Sequence, residues 1–214
     1  MSGQQLTKGR LLAGGGAAAL LLMAILASCA STPPENREDV CAIFMEKRGW
    51  YHATMQSFEK WGVPVHVQMA IIYQESRFEP RARPPRKRFL GFIPTTRPTT
   101  AYGYAQVKDA TWEWYQSKTG HHGADRDDFA DAVDFIGWYG RYSHSHLGIS
   151  KWDAYNQYLA YHEGHGGYKK KRYAEKPWLL AVARKVEANA KRYSRQLAVC
   201  REELERRRYW FWPF

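Results

Sequence analysis

The sequence predicts an all-α domain, and three observations carry that expectation. Apolar residues recur in steps of three and four along most of the chain, glycines and prolines punctuate the runs where helices would end and begin, and no stretch alternates convincingly enough for a regular strand. The clearest run is Leu179, Val182, Val186, Ala190, Tyr193, Leu197, Cys200 and Leu204, one stripe along a single long helix. At 214 residues with 44% hydrophobic side chains, one packed domain is the expected organisation.

In chain order, residues 1–28 stand apart. Lys8 and Arg10 precede an apolar run from Leu11 to Ser28, the charged start and apolar middle of an export signal. Leu26-Ala27-Ser28-Cys29 resembles a bacterial lipobox, which implies cleavage before Cys29 and lipidation of that residue. A membrane-spanning anchor is the competing reading, because the run approaches the ~20 residues that cross a bilayer. Gly14-Gly15-Gly16 and the small-residue site ending in a cysteine favour processing. Under the sorting rule of enteric lipoproteins, Ala30 and Ser31 in place of an Asp after the cysteine point to the outer membrane, facing the periplasm. Residues 29–40 then form a lipidated tether, polar and proline-containing from Ser31 to Asp39, and residues 41–214 form the domain.

The first helix is expected from about Glu38 to Lys60, stopped by Gly62, with Pro64 opening a second that ends near Ser76. Residues 78–102 carry Arg81, Arg83, Arg86, Lys87, Arg88 and Arg97 among five prolines and read as a long irregular basic loop, with room for a small hairpin. Asp109 is expected to cap a short helix through Trp112 to Ser117, ended by Gly120, and Asp127 or Asp128 to start another with Phe129, Val133 and Ile136 on one face. Asp153 begins the helix that bears Tyr161 and is expected to close at Gly164 and Gly166-Gly167. The ending, Arg206 to Phe214, mixes cations with aromatics; it suits a membrane interface or a sugar-stacking surface, and equally a tail folded over the domain.

If Cys29 carries lipid, Cys41 and Cys200 remain, and an even pair in an exported protein reads as a disulfide joining the first helix to the last; two buried thiols are the alternative. The formal charge of +11 loses Lys8 and Arg10 on processing and no acids. So basic an exported protein is drawn to anionic polymers or lipid headgroups, and the export signal argues against nucleic acid as a partner.

Glu75 is the most informative residue. It follows Val65, Met69 and Ile72 on one helical stripe and should point inward, where burial raises a carboxyl pKa and equips it as a general acid. A salt bridge at a helix end is the plainer reading of the segment alone. Two further segments follow it: Ala101-Tyr102-Gly103-Tyr104-Ala105-Gln106-Val107 and Tyr158-Leu159-Ala160-Tyr161-His162-Glu163-Gly164. Taken in this order, Glu75-Ser76, Gly103 with Gln106, and Ala160-Tyr161 with Gly164 resemble the soluble lytic transglycosylase (SLT) family of the lysozyme superfamily, over roughly residues 60 to 170. His162 stands where the family pattern has Asn, Tyr104 and Ala105 replace the residues between its Gly and Gln, and the segment from Phe78 to Tyr102 is longer than the family norm.

The resemblance implies a lysozyme-like helical domain that cleaves the MurNAc–GlcNAc bond of peptidoglycan, with Glu75 acting first as acid and then as base to give a 1,6-anhydromuramoyl product. Gln106 would bind an acetamido group, Ser76 would orient the acid, and Tyr161 would reach the sugar or Glu75. Gly103 would allow close backbone approach at the cleft wall. Tyr104, His162 and Glu163 complete the expected substrate-binding set. A hydrolytic muramidase using Glu163 to position water, and a catalytically silent wall-binding lipoprotein, are the alternatives. Trp112, Trp114, Tyr115 and Trp138 are candidates for sugar stacking, with core filling as their commoner use. Asp125, Asp127, Asp128 and Asp131 read as helix-start residues. No cofactor is expected, and no metal: His162 and His165 are three apart, whereas the zinc-protease helix spaces its histidines by four.

Overall fold

The computed structural model describes residues 32–86, 88–90 and 92–210. The expected signal peptide, Cys29 and the last four aromatic-rich residues lie outside that set. From Pro33 onward the chain forms one compact unit. Among the described residues it contains seven α-helices, a 3-10 turn and one minimal hairpin, the all-α class expected.

The segment expected as a tether joins this unit earlier than residue 41. Glu35 N–H donates to Glu46 Oε2 at 2.9 Å, and Gln196 clamps Val40 N–H and the Glu38 carbonyl at 3.0 and 3.1 Å. Asp39 caps helix α1 (Val40–Glu46) by accepting from the Cys41 and Ala42 amides. The single first helix expected from 38 to 60 is in fact two. Lys47 leaves helical geometry at φ −101°, ψ 74°, and α2 (Arg48–Trp61) starts beyond it. The break lets Val40, Ile43 and Phe44 on one piece and Trp50, Tyr51, Ala53, Thr54 and Ser57 on the other all face the core.

Gly62, left-handed at φ 77°, ends α2, and Pro64 caps α3 (Val65–Ser76). Val65, Val67, Met69, Ala70, Ile71 and Ile72 are all buried, so α3 is wrapped on nearly every side rather than along one stripe. Its buried Gln68 spends its amide on the Thr54 and Val63 carbonyls. The helix ends on two consecutive left-handed residues, Arg77 (φ 53°) and Phe78 (φ 64°). Such a conformation costs a non-glycine residue about 1 kcal/mol or more. The fully buried Phe78 ring, packed against Trp50 and Tyr73, offsets it.

Within the basic loop, strands β1 (Arg88–Phe89) and β2 (Ile93–Pro94) pair antiparallel, the small hairpin the sequence left room for. Helix α4 (Asp109–Thr119) ends at left-handed Gly120; the expected cap Asp109 is its first helical residue, beyond Lys108 at the cap position, and spends its carboxylate on Arg126. Helix α5 (Phe129–Leu147) starts on Asp128, whose carboxylate accepts from Asp131 N–H. Gly137 permits a close crossing of α2 and α5, because a Cβ there would meet Ser57 Oγ at 2.3 Å; Ser57 donates to the Val133 carbonyl at 2.7 Å.

Helix α6 (Ala154–Lys169) is capped by Asp153 and runs on past Gly164, where the chain was expected to stop. Gly164 adopts φ 71°, ψ 157°, a kink that only glycine tolerates cheaply, and helical geometry resumes after it. After a 3-10 turn (Arg172–Glu175), α7 (Pro177–Trp210) packs lengthwise on α3 and α6. Leu179, Val186, Ala190, Tyr193, Leu197 and Leu204 are buried along it as the periodicity predicts. Cys41 and Cys200 are joined by a disulfide with Cα atoms 6.1 Å apart, tying α1 to α7.

Candidate active site

Glu75 lies in the last turn of α3 and lines a cleft of about 510 Å³, with Gln106 and Val107 on one wall and Phe135, Tyr139 and Tyr161 on another. Protein atoms crowd the carboxyl, which keeps only a partial opening to the cleft. Burial therefore raises its pKa from 4.5 to about 7, against a hydrogen bond from the Tyr158 hydroxyl that favours the carboxylate. The expected inward-facing acid is thus built by the apolar packing of α3.

Tyr158 is the residue that sequence reasoning missed. It is 3% exposed on α6, one turn before Tyr161, and it is the tyrosine bonded to Glu75. Tyr161, expected to reach Glu75 or the sugar, donates instead to the Ala105 carbonyl and so fastens α6 to the opposite wall of the cleft. Burial and the neighbouring Glu75 charge push its pKa well up, which keeps it a neutral donor. The one available signal for Tyr158 was its position three residues before Tyr161, on the same helical face.

Gln106 occurs in a tight turn closed by a bridge between Tyr102 and Val107, and it is itself left-handed at φ 48°. Its side-chain nitrogen donates to the Ala82 and Gly103 carbonyls, both at 2.8 Å. Both amide protons are then spent, so Gln106 can meet an acetamido group only by accepting through Oε1. The carbonyl partners also fix which end of the amide is nitrogen.

Three expected assignments change, and the tryptophans take their commoner role in the core. Tyr104 is 1% exposed and packs on Trp50 and Phe129, so it belongs to the core and cannot touch substrate. Gly103 is required not by the cleft but by Arg126: at φ 78° a Cβ would lie 2.0 Å from the Arg126 carbonyl oxygen. Ser76 Oγ donates back to the Ile72 carbonyl at 3.3 Å, a helix-end bond rather than one that orients Glu75. Trp112, Tyr115 and Trp138 are buried among other rings, and Trp114 packs edge-on to Trp138 and Tyr142.

His162 and Glu163 do line the cleft. Burial raises the Glu163 pKa, but hydrogen bonds and charge from Lys176, 2.6 Å away, and from His162 outweigh it and hold the group below the usual carboxylate range. Glu163 is an ionised, paired carboxylate. His162 also meets Trp178 edge-on, with ring centroids 5.2 Å apart. Of the expected helix-start aspartates, Asp128 caps α5 and Asp131 accepts from Asp125 N–H, whereas Asp127 is turned to the Tyr102 hydroxyl and Arg81 instead. His165 stacks on Tyr139 and bonds Ser143, with burial lowering its pKa to about 4.

A family model described as "Transglycosylase SLT domain" matches residues 17–200. The chain belongs to that family. Membership places it among lysozyme-like domains and supports lytic-transglycosylase-type action on peptidoglycan. No curated protein and no solved structure matches the chain. Within the SLT domain, α3 supplies Glu75, the turn at 102–107 supplies Gln106, and α6 supplies Tyr158 and Tyr161. The segment between α3 and that turn, the basic loop, forms a rim of the same cleft through Pro84, Thr99 and Ala101.

Proposed function

We propose that the chain is a lytic transglycosylase that cleaves the β-1,4 bond between N-acetylmuramic acid and N-acetylglucosamine, leaving a 1,6-anhydromuramoyl end. The observation that carries this reading is Glu75, poised near neutrality by burial in a cleft that also presents Gln106 and Tyr161. Protonated Glu75 gives its proton to the glycosidic oxygen as the C1–O bond breaks, and the substrate's own acetamido oxygen assists at C1. The carboxylate then takes the proton of the muramoyl C6 hydroxyl, whose oxygen closes on C1. No water is consumed, and Glu75 returns to its acid form.

The second carboxylate that a hydrolase would use for water finds little support in Glu163, which is committed to Lys176. Incubation with purified sacculi followed by mass spectrometry tests the reading: anhydro ends are expected, reducing ends would mean hydrolysis, and unchanged glycan would mean a binding protein. Glu75→Gln should abolish cleavage, and persistent turnover by that variant would remove Glu75 from its role. We also place the protein on the periplasmic side of the outer membrane through lipid on Cys29. Labelled fatty acid should be incorporated by the wild type and lost on Cys29→Ala.

A further inference from the structure

A second cavity, of about 450 Å³, adjoins the cleft and shares Thr99 and Ala101 with it as a common wall. Its other sides are formed by Arg83, Arg97, Tyr102, Asp109 and Arg126. The charges do not balance. Arg126 Nη1 pairs with Asp109 at 2.7 Å, which leaves Arg83 and Arg97 as surplus cations; among the described residues neither forms an ion pair. Arg81, two positions before Arg83, is matched instead with Asp127 at 3.4 Å.

The surplus is held in place. The Arg83 guanidinium lies over the Tyr102 ring, 4.3 Å from its centroid, and Tyr102 is itself tethered by its hydroxyl to Asp127 at 3.0 Å. Stacking occupies the face of a guanidinium and leaves its in-plane N–H edge to bind a planar anion in bidentate fashion. Arg97 spends one nitrogen, Nη1, on the Pro84 carbonyl, and Pro84 also lines the catalytic cleft. Two oriented guanidinium groups thus border a saccharide cleft at a distance of one shared wall.

We propose that this cavity binds the carboxylates of the peptide stem carried by the muramoyl sugar. The inference rests on the peptidoglycan reading of the neighbouring cleft. The glycan backbone offers a cleft uncharged hydroxyls and acetamido groups, whereas the stem is an acidic branch leaving the same sugar. A cationic bay beside the cleft selects strands that still carry stems over strands that have lost them.

Binding by the Glu75→Gln full-length protein separates this proposal from the cleavage reading, because that variant is measured without turnover. The probes are glycan strands with intact stems and the same strands stripped of stems by an amidase, with the lactyl carboxylate that this exposes capped as its neutral methylamide. At low salt the stem-bearing strands should bind roughly fivefold tighter, as two exposed cation–carboxylate contacts warrant, and the preference should fall with ionic strength. Adding Arg83→Ala and Arg97→Ala should erase the preference while affinity for stripped strands stays unchanged. Arg83→Glu with Arg97→Glu should invert it, and unchanged thermal melting of each variant excludes a folding effect. Equal binding of both probes overturns the proposal, as does an equal loss on both in the double variant. If the wild type releases no anhydro products but the stem preference is found, the cleavage reading falls and the stem site stands.

Discussion

Replacing Glu75 by Gln should stabilise the protein, and by an amount that grows with pH. The folded state holds the Glu75 proton up to about pH 7, whereas the unfolded chain releases it near 4.5. Between those values the unfolded state binds fewer protons, so stability falls as pH rises through the window. This is the reverse of an ion-paired carboxylate. At about 1.4 kcal/mol per pH unit the full loss caps at about 3.4 kcal/mol, and the partial opening to the cleft lowers the expected value to about 2 to 3 kcal/mol. Gln is neutral throughout. The stability difference between variant and wild type, measured by urea unfolding with the disulfide intact, should therefore grow by about 2 to 3 kcal/mol from pH 4 to pH 8.5. Any constant effect of the amide cancels in that comparison, as do other groups that titrate alike in both proteins. A difference that stays level with pH, or shrinks, would refute the claim that the carboxyl is desolvated.

Tyr158→Phe removes the hydroxyl that favours the carboxylate, so the Glu75 pKa should rise further and the alkaline limb of the kcat/KM profile should move up by about half to one pH unit; an unmoved limb would uncouple the two. Gly103→Ala places a Cβ 2.0 Å from the Arg126 carbonyl oxygen at positive φ, and a cost of about 2 to 4 kcal/mol is expected, read as a drop of roughly 5 to 15 °C in Tm. Replacing Cys41 and Cys200 together by Ser should cost about 2 to 5 kcal/mol in urea unfolding by releasing the link between α1 and α7; an unchanged midpoint would show the bridge to be dispensable.

Much of this architecture was legible because helix punctuation is local. Gly62, Pro64, Gly120, Asp128 and Asp153 act where they stand, and α7 needs only its own spacing of three and four. Glu75 was legible for the same reason, since a helix fixes which face each residue shares. The errors concentrate where direction is set by distant partners. Tyr104 and Gln106 are two residues apart in one turn, yet the first enters the core and the second the cleft, because left-handed Gly103 and Gln106 aim the chain. Nothing local reveals the Arg126 carbonyl that makes Gly103 necessary. Tyr158 was hidden by degeneracy: on an aromatic-rich helix, the hydroxyl bonded to Glu75 looks like any core tyrosine. The break at Lys47 left no mark in the apolar pattern, because both pieces face the same core.

The two opposed influences on Glu75 explain why one carboxyl is enough for the proposed cycle. At neutral pH an ordinary Glu with a pKa of 4.5 is protonated only about once in ~300 molecules, whereas a group at about 7 is protonated in roughly half. Burial therefore enlarges the acid-competent population by about two orders of magnitude. Taken further, the same burial would work against the first half-reaction, because a carboxylate too costly to form makes the protonated group too weak an acid toward the glycosidic oxygen. The Tyr158 hydroxyl opposes that drift by stabilising the ionised form, while Tyr161, bonded to Ala105, keeps the wall closed without competing for the charge. A group that must release a proton and recover it in one turnover works best when neither form dominates. Here apolar helix packing supplies one side of that balance and a single phenol the other.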